Sequence, residues 1–295
     1  MNEFKTYHPL VNFIYFAFVI GFSCFLLHPI CFCISLLCAF SYLVLLKGKS
    51  AIKTTLLFLL PTMLAMALLN PALNHAGITV LAYFPNGNPL TLESVVYGLV
   101  SAGLIGSVIC WFSCYHEVMT SDKFIYLFGK IIPSISLIFS MTLRFVPRFS
   151  KQLKVVVNAQ RCLGKDLTSG TLLQRAKHGL SVLSALITWA LENAIETAES
   201  MKARGYGQPG RTAFSIFTFT RQDKIMLSCV LLLGVYVLCG SILGELKVRY
   251  FPSIQMTESS GVYYSFLLAY SLLCLVPIIV ELWEVGRWNK LRSKI

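Results

Sequence analysis

Residues 94–115 read SVVYGLVSAGLIGSVICWFSCY, and none of them is charged. A helix of these residues rises about 33 Å, enough to cross the bilayer's hydrocarbon core of about 30 Å. Charged residues make up only 13% of the chain, about half the usual share in a soluble domain. Five more uncharged runs occur, at Val11–Leu27, Ile30–Leu46, Thr54–Asn70, Ile225–Gly244 and Val262–Val280. The sequence therefore predicts an all-α integral membrane protein with about six transmembrane helices.

The run at 94–115 carries small residues at every fourth position: Ser94, Gly98, Ala102, Gly106, Cys110 and Cys114. Small side chains at this spacing let helix backbones approach closely in lipid. Packing within the chain's own bundle is the favoured interpretation. A helix that docks against another membrane subunit has the same pattern.

Cysteine and histidine residues do not form a recognisable metal-binding or disulfide pattern. Nine of the ten cysteines lie in apolar runs, where cysteine acts as a small hydrophobic residue. The chain has no CxxC pair, and its five histidines are scattered. We expect neither a metal site nor a cofactor in this chain.

The distribution of charge predicts the topology. From Lys123 to Lys224 there are fifteen Lys and Arg residues against five acidic ones, whereas Pro71–Leu92 has no Lys or Arg. Short cytoplasmic loops are enriched in Lys and Arg. We expect a multi-pass protein of the plasma membrane with both termini in the cytoplasm. The turns at 28–29, 71–92 and 245–261 then face outward.

The same distribution suggests three domains. These are an N-terminal transmembrane bundle of about four spans (1–119), a cytoplasmic helical region (120–222) and a C-terminal transmembrane hairpin (223–295). Basic residues beside membrane spans are explained by attraction to anionic lipid, so we expect contact with the lipid bilayer and no binding to nucleic acid.

The region 120–222 has the pattern of two long amphipathic helices. In the first, Arg144, Arg148 and Lys151 share one face, and Pro147 is expected to kink the helix near Arg144. The second is expected to begin near Thr171, to end at Ala203 before two glycines, and to carry an alanine stripe suited to a close helix crossing.

Catalytic motifs are not evident. Glu192, Glu196 and Glu199 lie on one helix face without a nearby His or Cys, and a solvated face explains them. Gly48-Lys49-Ser50 ends like a P-loop, but Leu43 stands where such a loop needs glycine. Active transport by this chain would therefore require ATPases encoded elsewhere.

Residues 197–212 read TAESMKARGYGQPGRT and resemble the second signature of the T component family of energy-coupling-factor (ECF) transporters. The matching residues are Ala203, Arg204, Gly205, Tyr206, Gly207, Arg211 and Thr212, with Ala194 and Glu196 upstream. Earlier in the chain, LRFVPRF at 143–149, which includes Arg144 and Pro147, and NAQRCLGKD at 158–166 are also similar to the family.

The first signature departs from the family pattern. Its Ala-Arg-Gly triplet aligns with Cys162-Leu163-Gly164, so Leu163 replaces the arginine, and Arg161 is the nearby cation. Adjacent helical positions point about 100° apart. Either the first ATPase contact is apolar, or the helix end turns to bring Arg161 round.

The resemblance implies a function and a set of partners. The two cytoplasmic helices would be coupling helices whose ends, Arg161–Gly164 and Ala203–Tyr206, contact two ABC-type ATPase subunits, and those subunits would bind ATP. A small membrane S component would bind the vitamin or metal ion. Two alternatives remain open: an integral membrane enzyme of lipid-modifying or protease-like type, and the permease subunit of a conventional ABC transporter.

Overall fold

A computed structural model describes residues 3–83, 88–129, 133–166, 168, 170–208, 217–256 and 261–292. In this part of the chain, a short 3-10 helix at Glu3–Thr6 precedes α1 (Pro9–Phe25), α2 (Pro29–Lys47), α3 (Lys49–Leu73), strands β1 (Val80–Tyr83) and β2 (Pro89–Thr91), α4 (Leu92–Val118), α5 (Ser121–Gly129), α6 (Pro133–Cys162), α7 (Leu172–Ala203), α8 (Arg221–Leu243), strands β3 (Val248–Arg249) and β4 (Gln255–Met256), and α9 (Gly261–Arg292).

The predicted fold class, an all-α integral membrane protein, is confirmed. Four helices are long and apolar enough to cross a bilayer, namely α2, α4, α8 and residues 261–288 of α9. The first predicted run lies mostly in the shorter apolar helix α1 (Pro9–Phe25), and the third lies in α3, whose segment Leu59–Leu73 is short and apolar. With 17 residues, α1 rises about 26 Å, slightly less than the hydrocarbon core.

Helix α4 lies against α2 and α3 through its stripe of small residues. Ser94, Ala102, Cys110 and Cys114 are buried. A Cβ placed on Gly98 would stand 3.2 Å from the carbonyl oxygen of Ala67 in α3, so the two backbones are close there. The stripe serves packing within the chain's own bundle, which confirms the favoured interpretation.

Three buried polar side chains inside the bundle are paired with each other. The Trp111 indole Nε1 donates to Ser35 Oγ at 2.9 Å, and Ser35 Oγ lies 2.8 Å from Ser23 Oγ. These bonds connect α4, α2 and α1. Within an apolar medium, an unpaired polar group costs several kcal/mol, so this pairing helps fix the order of the three helices.

Two turns that we expect to face outward lie together at one end of the bundle. The Tyr250 hydroxyl donates to the carbonyl oxygen of Leu27 at 2.8 Å. Tyr263 Oη and His28 Nε2 are 3.1 Å apart, and Tyr97 of α4 packs against Tyr250 with ring centroids 5.4 Å apart. Two small antiparallel pairs, β1–β2 and β3–β4, were not predicted from the sequence.

The chain divides into two compact units. One comprises Met1–Phe124 with Phe217–Ile295, and the other is Ile125–Ile216. In the second unit, α6 and α7 pack through Trp189, whose ring is 5.3 Å from that of Phe149 and 5.7 Å from the guanidinium carbon of Arg148. The prediction of two long amphipathic helices is confirmed, and α7 begins and ends within a residue of its predicted bounds.

Candidate functional site: the ends of the two long helices

Helix α7 ends in a Schellman motif that leaves Arg204 at the tip of the helix. The N–H of Gly205 donates to the carbonyl oxygen of Lys202, and the N–H of Tyr206 to that of Met201, both at 3.0 Å. Gly205 has φ +75°, a conformation that costs other residues about 1 kcal/mol. The glycine thus stops the helix and leaves the side chain of Arg204 exposed.

Helix α6 ends in the same motif. Gly164 has φ +73°, its N–H donates to the carbonyl oxygen of Arg161, and the N–H of Lys165 donates to that of Gln160, both at 3.0 Å. Each residue of Cys162-Leu163-Gly164 thus occupies the backbone position of its counterpart in Ala203-Arg204-Gly205. Leu163 stands where Arg204 stands, and its side chain is 69% exposed.

Arg161 is held by an acidic neighbour. Its Nε lies 3.5 Å from Asp166 Oδ1, and the hydroxyl of Thr168 donates to Asp166 Oδ2 at 2.8 Å. The pKa of Asp166 lies below its ordinary value, first because of the Thr168 hydrogen bonds and then because of Arg161. The backbone at this helix end does not turn to place Arg161 at the tip. Of the two possibilities drawn from the sequence, this geometry favours an apolar tip at Leu163.

The two tips differ in chemistry although they share a backbone. Within the part of the chain that the structure describes, no ion pair or side-chain hydrogen bond involves Arg204. Its guanidinium can therefore make bidentate bonds to a carboxylate of another protein. Leu163 offers only apolar surface. Tyr206, beside Arg204, is also exposed, at 45%.

The other predicted site residues lie along the shafts of these helices or outside the described residues. Arg144 and Glu196 are exposed on α6 and α7, and α6 continues through Pro147. Arg211 and Thr212 lie outside the described residues. The kink expected at Pro147 stays a prediction.

Sequence reasoning missed Trp189 and Asp166, and the close helix crossing expected at the alanine stripe stays a prediction. Ala194 and Ala198 are exposed, while Trp189 contacts α6. A single tryptophan within a helix rich in alanine and leucine was the available signal. For Asp166, the signal was its position four residues before Gly170, in a segment with Thr168 that links the two helices.

Among the described residues, no group of three or more His, Cys, Asp and Glu side chains could hold a metal ion. Six apolar helices and two long amphipathic helices with exposed ends define a class: an all-α integral membrane protein. A model of the cobalt transport protein family, CbiQ, matches residues 5–215, well over half of the chain. The chain belongs to this family.

Several relatives carry the name energy-coupling factor transporter transmembrane protein EcfT. The protein of Lactobacillus helveticus is 36% identical over 108 residues, which are 36% of this chain and 39% of the relative. That of Brevibacillus brevis is 35% identical over 113 residues (37% and 43%), and that of Streptococcus equi is 32% identical over 106 (36% and 39%). The chain thus covers about two fifths of the length of the curated relatives it matches.

These findings confirm the resemblance to the T component of ECF transporters. The family is one of transporter membrane subunits and not of enzymes, so the alternative of a membrane enzyme is dropped.

Proposed function

We propose that this chain is the coupling subunit of an ECF-type ABC importer. In this function, two ABC-type ATPase subunits in the cytoplasm bind ATP and close on each other, and α6 and α7 transmit that movement through the membrane helices to a substrate-binding S component. The observation that carries the proposal is the pair of matched helix ends, which present Arg204 and Leu163 to solvent on identical backbone frames.

The physical chemistry of the two helix ends suits a contact that transmits force. A helix is stiff along its axis, and each end is closed by two backbone hydrogen bonds at a glycine. A partner groove that holds the tip can therefore move the whole helix. The Arg204 guanidinium adds a directional, charge-assisted bond that also fixes the orientation of the tip.

The proposed topology has both termini and the unit Ile125–Ile216 in the cytoplasm. The excess of Lys and Arg between 123 and 224 supports it. So does the meeting of the turn at 28–29 with the segment 245–261, because two turns on the same side of a membrane lie at the same end of a bundle.

The cargo is a vitamin or a metal ion that the S component binds. The description of the family as a cobalt transport protein makes Co²⁺ the first cargo to test.

The proposal is tested by recovery of ATPases with the full chain from a mild detergent. We expect Arg204→Ala to reduce the recovery of the ATPases at least tenfold, because removing one partner of a desolvated charge pair costs about 2–5 kcal/mol. Lys177→Ala is the matched control, since Lys177 is an exposed cation near the other end of α7. Failure to recover ATPases with the unmodified chain, or full recovery with Arg204→Ala, contradicts the proposal.

A further inference from the structure

The N-terminal segment Glu3–His8 is fixed to the bundle by an aromatic anchor. Phe4 is fully buried, and its ring centroid lies 5.1 Å from that of Tyr15 in α1 and 6.2 Å from that of Tyr42 in α2. Such edge-to-face contacts orient the ring in addition to burying it. The segment is therefore an integral part of this end of the bundle.

Three buried charged residues, each from a different helix, bind the backbone of this segment. Glu281 Oε1 of α9 accepts from the N–H of Phe4 at 3.3 Å, and Asp223 Oδ1 of α8 accepts from the N–H of His8 at 2.9 Å. The ammonium group of Lys123 in α5 donates to the carbonyl oxygen of Lys5. These three side chains belong to residues that are only 4–7% exposed.

Asn12 joins two of these contacts. With its amide oriented so that the nitrogen donates to the carbonyl oxygen of Phe4 (3.1 Å), its oxygen accepts from Lys123 Nζ (2.9 Å). This orientation satisfies both groups of the amide, and it is the one that the hydrogen-bond network supports. Lys123 is thus held by two neutral oxygens of the N-terminal region.

These contacts lie next to both places where the chain passes between the two units. Lys123 is two residues before Ile125, where the second unit begins, and Asp223 follows shortly after Ile216, where it ends. Asp223 also caps α8, since its Oδ2 accepts from the N–H of Thr220 at 2.9 Å. Phe219, between that boundary and Asp223, packs edge to face against His8 with ring centroids 4.8 Å apart.

We propose that Glu3–His8 is a clamp that holds both of these chain connections, and that Lys123 and Asp223 are positioning residues for coupling. The coupling role rests on the function proposed above, whereas the clamp itself is a property of this chain alone. The two connections join α6 and α7 covalently to the membrane helices, so a movement of α6 and α7 acts on both. If the two connections are fixed to each other, they transmit the movement to the membrane helices. If each connection can move independently, the movement is not transmitted.

The cost of the arrangement supports a positioning role. Burying charged groups is expensive, and apolar side chains of similar size often give equal or greater stability. What the charged groups add is direction, because each hydrogen bond to the backbone of Glu3–His8 has a defined geometry. Holding Glu3–His8 in one orientation requires contacts of defined geometry more than it requires additional stability.

The test measures backbone hydrogen exchange in the full chain in lipid nanodiscs, without any partner. We expect Lys123→Met to speed exchange at least fivefold in 3–8 and also in 217–224, although Lys123 is about a hundred positions away from the latter in sequence. Lys224→Met is the matched control, since Lys224 is an exposed cation beside Asp223, and it should change neither segment. Faster exchange confined to 121–129 overturns the clamp, because it would show a purely local role.

A second measurement addresses coupling. In the complex with its ATPases, Lys123→Met should leave ATPase recovery unchanged and reduce Co²⁺ uptake per ATP hydrolysed at least threefold. Unchanged uptake per ATP overturns the positioning role. If the unmodified chain recovers no ATPases, the proposed function fails, while the exchange result still decides the clamp.

Discussion

At the scale of single residues, the ends of α6 and α7 differ at the tip position, where an exchange puts leucine in place of arginine on matched backbone frames. The sequence shows this exchange directly, but it does not show whether Arg161 compensates for it. That depends on Asp166, which binds Arg161 across the turn after α6. A contact between side chains on either side of a turn depends on the turn's conformation, which spacing alone does not specify.

The apolar tip leads to a prediction about Leu163→Arg. If the partner groove is apolar, a buried guanidinium without a carboxylate costs about 3–5 kcal/mol, and recovery of the ATPases should fall more than tenfold. Leu163→Met keeps the volume and apolar character and should preserve recovery. Quantitative co-purification from mild detergent measures both. An increase in recovery with Leu163→Arg would mean that the groove retains a carboxylate, contrary to this assignment.

Lys123 predicts a pH dependence of stability. Burial, and then the charge of Lys5, lower the pKa of Lys123 from its ordinary 10.5 to about 8. Between these values the unfolded chain keeps a proton that the folded chain has released, so the free energy of unfolding rises with pH. Below about pH 8 both states are charged, and the full cost of burying the ammonium group remains.

We therefore expect the stability of the unmodified chain, relative to Lys123→Met, to rise between about pH 8 and pH 10. Thermal unfolding in detergent measures it, and using the difference between two chains removes the titration of other groups. A difference that stays constant over this range would show that Lys123 keeps its ordinary pKa.

At the scale of elements, the bounds of α7 could be predicted because local chemistry sets them. Thr171 and Gln174 form a capping box, and Gly205 closes the other end. The strand pairs β1–β2 and β3–β4 are short and lie beside helices, so their pairing depends on tertiary packing and not on a period-two pattern. The attachment of Phe4 to α1 and α2 has the same cause.

The contact between α6 and α7 is tested by Trp189→Ala. This change removes the edge-to-face contact with Phe149 and the cation–π contact with Arg148, which together are worth about 1–2 kcal/mol. Hydrogen exchange in the second half of α6 should increase about fivefold to thirtyfold. Leu191→Ala, at a residue that is 62% exposed, is the control. Equal effects of the two changes would show that Trp189 does not hold the helices together.

At the scale of the whole molecule, the small residues of α4 determine how closely the membrane helices approach. The sequence predicted a close approach within the bundle, but not that α2 and α3 are the neighbours. Periodicity identifies the packing face of a helix, whereas the choice of neighbour depends on contacts such as the bond between Trp111 and Ser35.

Gly98→Val should destabilise the bundle. Its Cβ would stand 3.2 Å from the carbonyl oxygen of Ala67 and 3.3 Å from a ring carbon of Pro71, and overpacking of this kind costs about 1–3 kcal/mol. A lower midpoint of thermal unfolding in detergent is the expected result. At Gly21 in α1, a Cβ meets nothing within 4 Å, so Gly21→Val should have little effect. Comparable losses from the two valines would contradict the close approach of α3 and α4.

The unlike tips of α6 and α7 have a consequence for assembly. In the proposed complex, the cationic tip at Arg204 and the apolar tip at Leu163 would present different surfaces to the two ATPases. If the two ATPases were identical, the same groove would have to bind both tips. If they were different, each groove could be complementary to one tip. When the chain is mixed with equal amounts of two different ATPases, we expect complexes of one kind, in which the same ATPase always contacts Arg204.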